Sequence, residues 1–159
     1  MYKRLFDFAY DQLENLPLDV MFRSKCNGEW ETYSTRKFID HVNQLSNGLV
    51  EYGIQPGQKI ALITDASRTE WNICDHAALQ IGAIDVPIYP TMTEQDIQYI
   101  LNLSESVICF VSNEELLTKI KNIRGQVPSL KEVFTFEKIQ GVRHWKELLS
   151  LNEESAQVV

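Results

Sequence analysis

The sequence predicts an α/β fold, a mainly parallel sheet with flanking helices and an N-terminal β-hairpin. Four short apolar runs begin near residues 59, 83, 107 and 131, about 24 residues apart. Each gap between them holds an amphipathic segment of helical length, so strand and helix alternate at the crossover length that parallel pairing needs. The segments are unlike one another, which excludes a sequence repeat, and right-handed crossovers are expected. Ahead of this region Asn27-Gly28 separates two short extended runs, and that dipeptide supplies the positive φ angles of a tight hairpin turn.

The elements follow in order. Tyr2, Phe6, Ala9, Leu13 and Leu16 recur at helical spacing, and Pro17 closes this leading helix. The hairpin occupies residues 19 to 34. Ser34 is a good N-cap for a helix whose apolar face is Phe38, Val42, Leu45 and Leu49, and Gly53 ends it. After the turn "IQPGQ", "KIALIT" reads as a strand buried on both faces. Ser67 and Glu70 in "SRTE" have the spacing of a capping box, opening a helix that runs to about Gly82. "AIDVPIY" is the next strand, with Ile84, Val86 and Ile88 on its core face. Its other face is Ala83, Asp85, Pro87 and Tyr89, which is mixed, and a proline removes a ladder donor, so this strand is expected partly at an edge or against a partner outside this chain. Thr93 caps a helix with Ile97, Ile100 and Leu101 inward, "VICFVS" is the third strand, and Asn113 caps "EELLTKIKNI". Gly125 and Pro128 lead to a fourth strand in "LKEVFTF", and "VRHWKELLSLNEE" reads as a last helix with a frayed end. Residues 1–159 are therefore read as a single partial domain: leading helix and hairpin at 1–33, parallel α/β core at 34–138, terminal helix and tail at 139–159.

Composition narrows the function classes. A hydrophobic share of 44% with 23% charged residues belongs to a globular protein rather than a disordered one. The net charge of −7, with no dense Lys/Arg cluster, argues against nucleic acid as a partner. Apolar runs such as "VICFV" are too short to span a bilayer, and Asp7 breaks the run behind "MYKR", so neither a transmembrane segment nor a secretory signal is expected. Cys26, Cys74 and Cys109 are odd in number and widely separated, which suits reduced thiols in the cytoplasm.

Chemistry-bearing motifs are scarce. No Gly-x-Gly pair and no Gly-x-Ser-x-Gly occurs, so a dinucleotide fingerprint, a P-loop and a nucleophile elbow are all missing. Cys74, Asp75 and His76 are consecutive, but neighbours on a helix point apart, so they read as a buried thiol and a partly exposed imidazole. His41 and His144 stand alone, Trp71 and Trp145 read as packing residues, and the acidic residues 105, 114, 115, 132 and 137 read as solvated faces. In open parallel sheets ligands bind beyond the carboxyl ends of the strands, here Thr64 to Ser67, Tyr89 to Thr93 and Ser112 to Asn113. Each carries a helix N-cap residue, which either receives an anion on free amides or caps the helix.

The run from Tyr33 to Asn113 resembles the N-terminal part of the adenylate-forming (AMP-binding) enzymes, most closely the long-chain fatty acid–CoA ligases. The resemblance rests on Gly48-Leu49, Pro56-Gly57, Ile60 to Ile63, Glu70-Trp71, Gly82-Ala83 and Val86-Pro87, with "VPIYPT" similar to the long-chain subgroup. Gln58, Asn47 and Ala66 depart from the residues common in the family, Asp, Ala and Asn respectively. What the resemblance implies is activation of a fatty acid with ATP and magnesium to an acyl-adenylate, followed by transfer of the acyl group to coenzyme A. It also implies that the Ser/Thr/Gly-rich phosphate loop, the adenosine and magnesium sites and the catalytic lysine fall beyond Val159. No position of this sequence is therefore assigned a catalytic, cofactor-binding or metal role, and no cofactor is expected to bind these residues tightly. The expected partners are the remainder of the same polypeptide, a fatty acid in the parent enzyme, and a second copy through apolar surface left open. The expected location is cytoplasmic, or peripheral to a membrane in the parent. A stand-alone α/β binding or interaction module derived from a ligase is the alternative. A receiver-like domain fits poorly, since only Asp65 lies where its acidic cluster would be.

Overall fold

The computed structural model describes residues 4–26 and 28–149. The chain falls into two compact units. The first holds the residues up to Gly53, then Ser67–Ile81, and resumes at Leu148; the second holds Ile54–Ala66 and Gly82–Glu147.

The second unit contains the parallel sheet. Its strands are β3 (Lys59–Ile63), β4 (Ile84–Ile88), β5 (Ile108–Val111) and β6 (Glu132–Thr135), all parallel, in the order β4-β3-β5-β6. One sheet face carries Ala61, Ile63, Ile88, Cys109, Val111 and Val133, two residues apart along each strand. Against it pack α4 (Glu94–Ser104) through Ile97 and Leu101, and α5 (Glu114–Ile123) through Leu116, Leu117 and Ile120. Each such aliphatic side chain contributes about 1.5–3 kcal/mol when fully buried. β3 and β5 are buried at nearly every residue, as strands in the middle of a sheet must be.

β4 is an edge strand, as the sequence predicts, and the register explains its proline. The Ile84 amide donates to the Gln58 carbonyl at 2.9 Å, so the amides of Val86 and Ile88 also face β3. The nitrogen of Pro87 then faces the open edge, where it costs no ladder bond and blunts strand addition. Ile84 itself departs from expectation. It is 49% exposed because it pairs with Lys59 at the amino end of the sheet, short of the core that Val86 and Ile88 reach.

The first unit contains α1 (Asp7–Asn15), the antiparallel hairpin of β1 (Phe22–Cys26) and β2 (Glu29–Tyr33), α2 (Thr35–Tyr52) and α3 (Thr69–Gln80). Cys26 pairs with Glu29, which leaves a two-residue turn; Gly28 has φ 86°, and Asn27 lies outside the described residues. Phe22 packs on Phe38 with ring centroids 5.0 Å apart. Ser34 caps α2 by accepting from the Lys37 amide at 3.1 Å, and Gly53 ends it at φ 100°.

Three further expectations are corrected. The leading helix is shorter than residues 2–16, and Tyr2 lies outside the described residues. Its contact face is Ala9 with the polar Tyr10, whose hydroxyl donates to Asn43 Oδ1 at 2.6 Å, while Leu16 is exposed beyond the helix end. At α3 there is no Ser67–Glu70 box: the N-cap is Arg68, without a side-chain cap bond, and Glu70 turns instead to the Arg68 guanidinium at 2.9 Å. The third concerns the terminal helix. Residues 142–146 are not helical, because the Thr135 amide donates to the Arg143 carbonyl and the Trp145 amide to the Thr135 carbonyl, a parallel bridge that sets His144 beside the end of β6. Only Glu147, Leu148 and Leu149 are helical among the described residues of that segment, and residues from Ser150 on lie outside them.

Candidate functional site

In an open parallel sheet ligands bind at the carboxyl end, here in the second unit, where β3, β4 and β5 are followed by Thr64, Tyr89 and Ser112. Ser112, fully buried, joins two strand ends: its hydroxyl donates to Asp65 Oδ1 and accepts from the Asp65 amide at 3.1 Å. The turn after β4 closes with the Met92 amide on the Tyr89 carbonyl at 3.2 Å. Lys119 of α5 fastens it, donating from Nζ to the carbonyls of Pro90 at 2.8 Å and Met92 at 3.4 Å. Pro90 keeps the residue before it extended, so Tyr89 leaves the strand 73% exposed.

The two helix N-termini here are occupied by their own side chains. Thr93 Oγ1 accepts from the Asp96 amide at 3.2 Å and Asp96 answers on the Thr93 amide, a complete capping box. Asn113 Oδ1 accepts from the Leu116 amide at 3.0 Å. Glu94 and Asp96, with Glu114 and Glu115, already place negative charge in the first turns, where the helix dipole favours it. A phosphate would meet carboxylates at both ends. The arrangement caps and positions helices, with the Asp96 and Leu116 amides bonded to the cap side chains. Among the described residues no group of three or more His, Cys, Asp and Glu is gathered closely enough to hold a metal ion.

The isolated candidates have local explanations. Cys74 is buried, and desolvation, followed by the charges of Glu70 and Asp75, pushes its thiol well above the ordinary range. Burial pushes Cys109 up to about 12, with Arg124 opposing. Thiols held protonated in this way are poor nucleophiles and poor metal ligands. His41 and His76 each bond through Nδ1 to the carbonyl one helical turn back, Lys37 at 2.8 Å and Asn72 at 3.0 Å. His144 Nε2 reaches the Phe136 carbonyl at 3.0 Å, and burial lowers its pKa. Trp145 is buried edge-on against Phe136, a packing residue as expected, and Trp71 is half-buried. In the first unit a cleft of about 690 Å³ is lined by Arg4, Tyr10, Ser46 and Gln80. Its polar groups bond to one another, Ser46 Oγ donating to Gln80 Oε1 at 2.6 Å and Arg4 pairing with Asp7 at 2.9 Å.

The dipeptides singled out from the sequence prove to be devices of placement. Pro56-Gly57 and Gly82-Ala83 meet each other: the Gly57 amide donates to the Gly82 carbonyl at 2.7 Å, and both glycines have φ values, 82° and 73°, that a side chain would strain. Glu70-Trp71 brings the buried partner of Arg68, and Val86-Pro87 builds the blunted edge. Gly48 lets another backbone come close, since a Cβ there would lie 1.8 Å from the Leu148 carbonyl oxygen. Ser112 was marked in the sequence only as a strand end, and Lys119 and Arg68 were not singled out. The partners of Ser112 and Lys119 are distant in sequence and are brought near only by the tertiary fold, whereas Arg68 pairs with Glu70 two residues on.

Comparison with known proteins places this scaffold. The pattern of the AMP-binding enzyme family matches residues 11–156. The long-chain-fatty-acid–CoA ligase FadD15 of Mycobacterium bovis is 31% identical over 114 residues, 72% of this chain and 19% of that protein. The long-chain-fatty-acid–CoA ligase ACSBG2 of Xenopus laevis is 26% identical over 140 residues, 85% of this chain and 19% of that protein. The chain thus spans about a fifth of the length of the curated relatives it matches. Among solved structures, the anthranilate CoA ligase AuaEII in complex with anthranoyl-AMP superposes with a TM-score of 0.78 at 22% identity, over 93% of this chain and 27% of that one. A red-emitting luciferase of Phrixothrix hirtus superposes with a TM-score of 0.68 at 22% identity, over 76% of this chain and 29% of that one. One scaffold therefore underlies both a CoA ligase and a luciferase, and the fold by itself does not choose a substrate.

Proposed function

Because the chain belongs to the AMP-binding enzyme family, we propose that it is the leading part of a long-chain fatty acid–CoA ligase. The observation that carries this is the 31% identity with a mycobacterial ligase of that name over 72% of the chain. Such an enzyme joins a fatty acid carboxylate to the α-phosphate of ATP, releasing pyrophosphate, and the coenzyme A thiol then displaces AMP to give the thioester. Magnesium, which neutralises phosphate charge in such reactions, has no ligand set among the described residues, so no step is assigned to it here.

The contribution of these residues is scaffolding. Capped helices, a turn fastened by Lys119 and the joined ends of β3 and β5 present a rigid carboxyl edge, next to which the rest of the polypeptide would build the nucleotide and acyl sites. The chain by itself is inactive on this reading, and ATP and coenzyme A are held elsewhere. No helix of the described residues is long and apolar enough to cross a membrane; the enzyme works in the cytoplasm or peripheral to a membrane. The alternative is a stand-alone α/β interaction module derived from a ligase. A reading frame that continues into a Ser/Thr/Gly-rich loop supports the ligase, and a natural stop codon just after Val159 supports the module.

Exposed apolar side chains, among them Ile84, Tyr99 and Leu103 on β4 and α4, are surface for the rest of the enzyme to cover. Produced by itself, the chain is expected to self-associate through such surface. Sedimentation velocity is expected to show dimer growing with concentration, and a strictly monomeric profile at high concentration would count against it.

A further inference from the structure

In the second unit a cavity of about 360 Å³ opens between α5, β6 and the turn at residues 141–143. Its floor is apolar: Ile120 and Val133 belong to the buried core, and Val142 packs against it. Its rim is cationic, with Lys121, Arg124 and Arg143 against one carboxylate, Glu132. That carboxylate is partly committed, since Oε1 accepts from the Val133 amide at 2.9 Å and Oε2 lies 3.9 Å from the Arg143 guanidinium. Both guanidinium groups are held in place. Arg124 donates to the Lys131 carbonyl, and Arg143 is braced by Glu147 at 2.9 Å and by the face of Phe134 at 4.9 Å. A chain of net charge −7 thus gathers three cations over an apolar floor.

Fixed guanidinium groups suit a carboxylate, and an apolar floor rewards a hydrocarbon tail. We propose that this cavity binds a small amphiphilic carboxylate, its head between Lys121 and Arg124 and its tail on Ile120, Val133 and Val142. The ligase reading is not needed for this, and either can fail without the other. The test is an amide-shift titration of the 159-residue chain by NMR with octanoate, 1-octanol and inorganic phosphate. Octanoate is expected to give saturable shifts centred on residues 117–124, 132–133 and 141–143, with the alcohol and phosphate each binding about tenfold more weakly or worse. Lys121→Glu, an exposed change, is expected to weaken octanoate about tenfold while the remaining spectrum stays in place. The proposal is overturned by shifts centred elsewhere, by the absence of saturation, by octanol or phosphate matching octanoate, or by unchanged affinity in Lys121→Glu.

Discussion

Gly48→Ala is expected to destabilise the protein by about 2–3 kcal/mol, the cost of overpacking a rigid contact. Helix propensity argues the opposite sign, because Ala in the interior of an exposed helix gains about 1 kcal/mol over Gly. Gly48 lies well inside α2 and is buried. The atom its Cβ would strike, 1.8 Å away, is a backbone carbonyl oxygen that cannot rotate aside as a side chain could. α2 would have to shift, and with it Ser46 and its bond to Gln80, or Leu148 would have to detach. Urea denaturation of both proteins distinguishes the outcomes. A lower midpoint for Gly48→Ala is expected, and an equal or higher one would mean that the close approach to Leu148 is absent.

Glu70→Ala is expected to cost about 3–5 kcal/mol, the range for removing one partner of a buried ion pair. Arg68 and Glu70 have side chains only 8% and 7% exposed, and their closest approach is 2.9 Å. Loss of the carboxylate takes the Glu70 charge away from a buried guanidinium at the start of α3. Next to it the Thr69 hydroxyl bonds the buried Ser24 hydroxyl at 3.0 Å and so ties the helix start to the hairpin. The measurement is again the denaturation midpoint, with Arg68→Leu/Glu70→Leu as the control. Because a well-packed apolar pair can replace a buried ion pair at little cost, the double variant is expected to recover most of the loss. A single variant within about 0.5 kcal/mol of the parent would show that the pair carries no such burden.

These two positions also mark what the sequence could and could not disclose. Periodicity suffices for a core that repeats, so the parallel strands, the Thr93 and Asn113 caps and the edge position of β4 were legible from spacing and residue type. "SRTE" misled because a capping pattern competes with any better partner for its Glu, and Arg68 provides one. The last helix misled because Val142, Trp145, Leu148 and Leu149 have helical spacing, while the bonds of Thr135 to Arg143 and Trp145 hold that segment against the end of β6. Ile84 alternates correctly but lies where the strand has outrun its core. Gly48, Gly57 and Gly82 were visible as members of family dipeptides. Their reasons were not, since each depends on a backbone that arrives from a distant part of the chain.

The same limit governs function. The carboxyl edge of the sheet was legible as the place where an open parallel sheet keeps its ligands. Its helix N-termini read either as caps or as anion sites in the sequence, and the structure shows Thr93 and Asn113 each capping its helix through its own side chain. The most direct measurement is fatty-acid-dependent exchange of pyrophosphate into ATP, run on the 159-residue chain and on the polypeptide encoded by the complete reading frame. Exchange with a long-chain fatty acid is expected from the complete polypeptide and none above background from the chain. Exchange by the chain alone, or none by the complete polypeptide, would contradict its assignment as the scaffold of a fatty acid–CoA ligase.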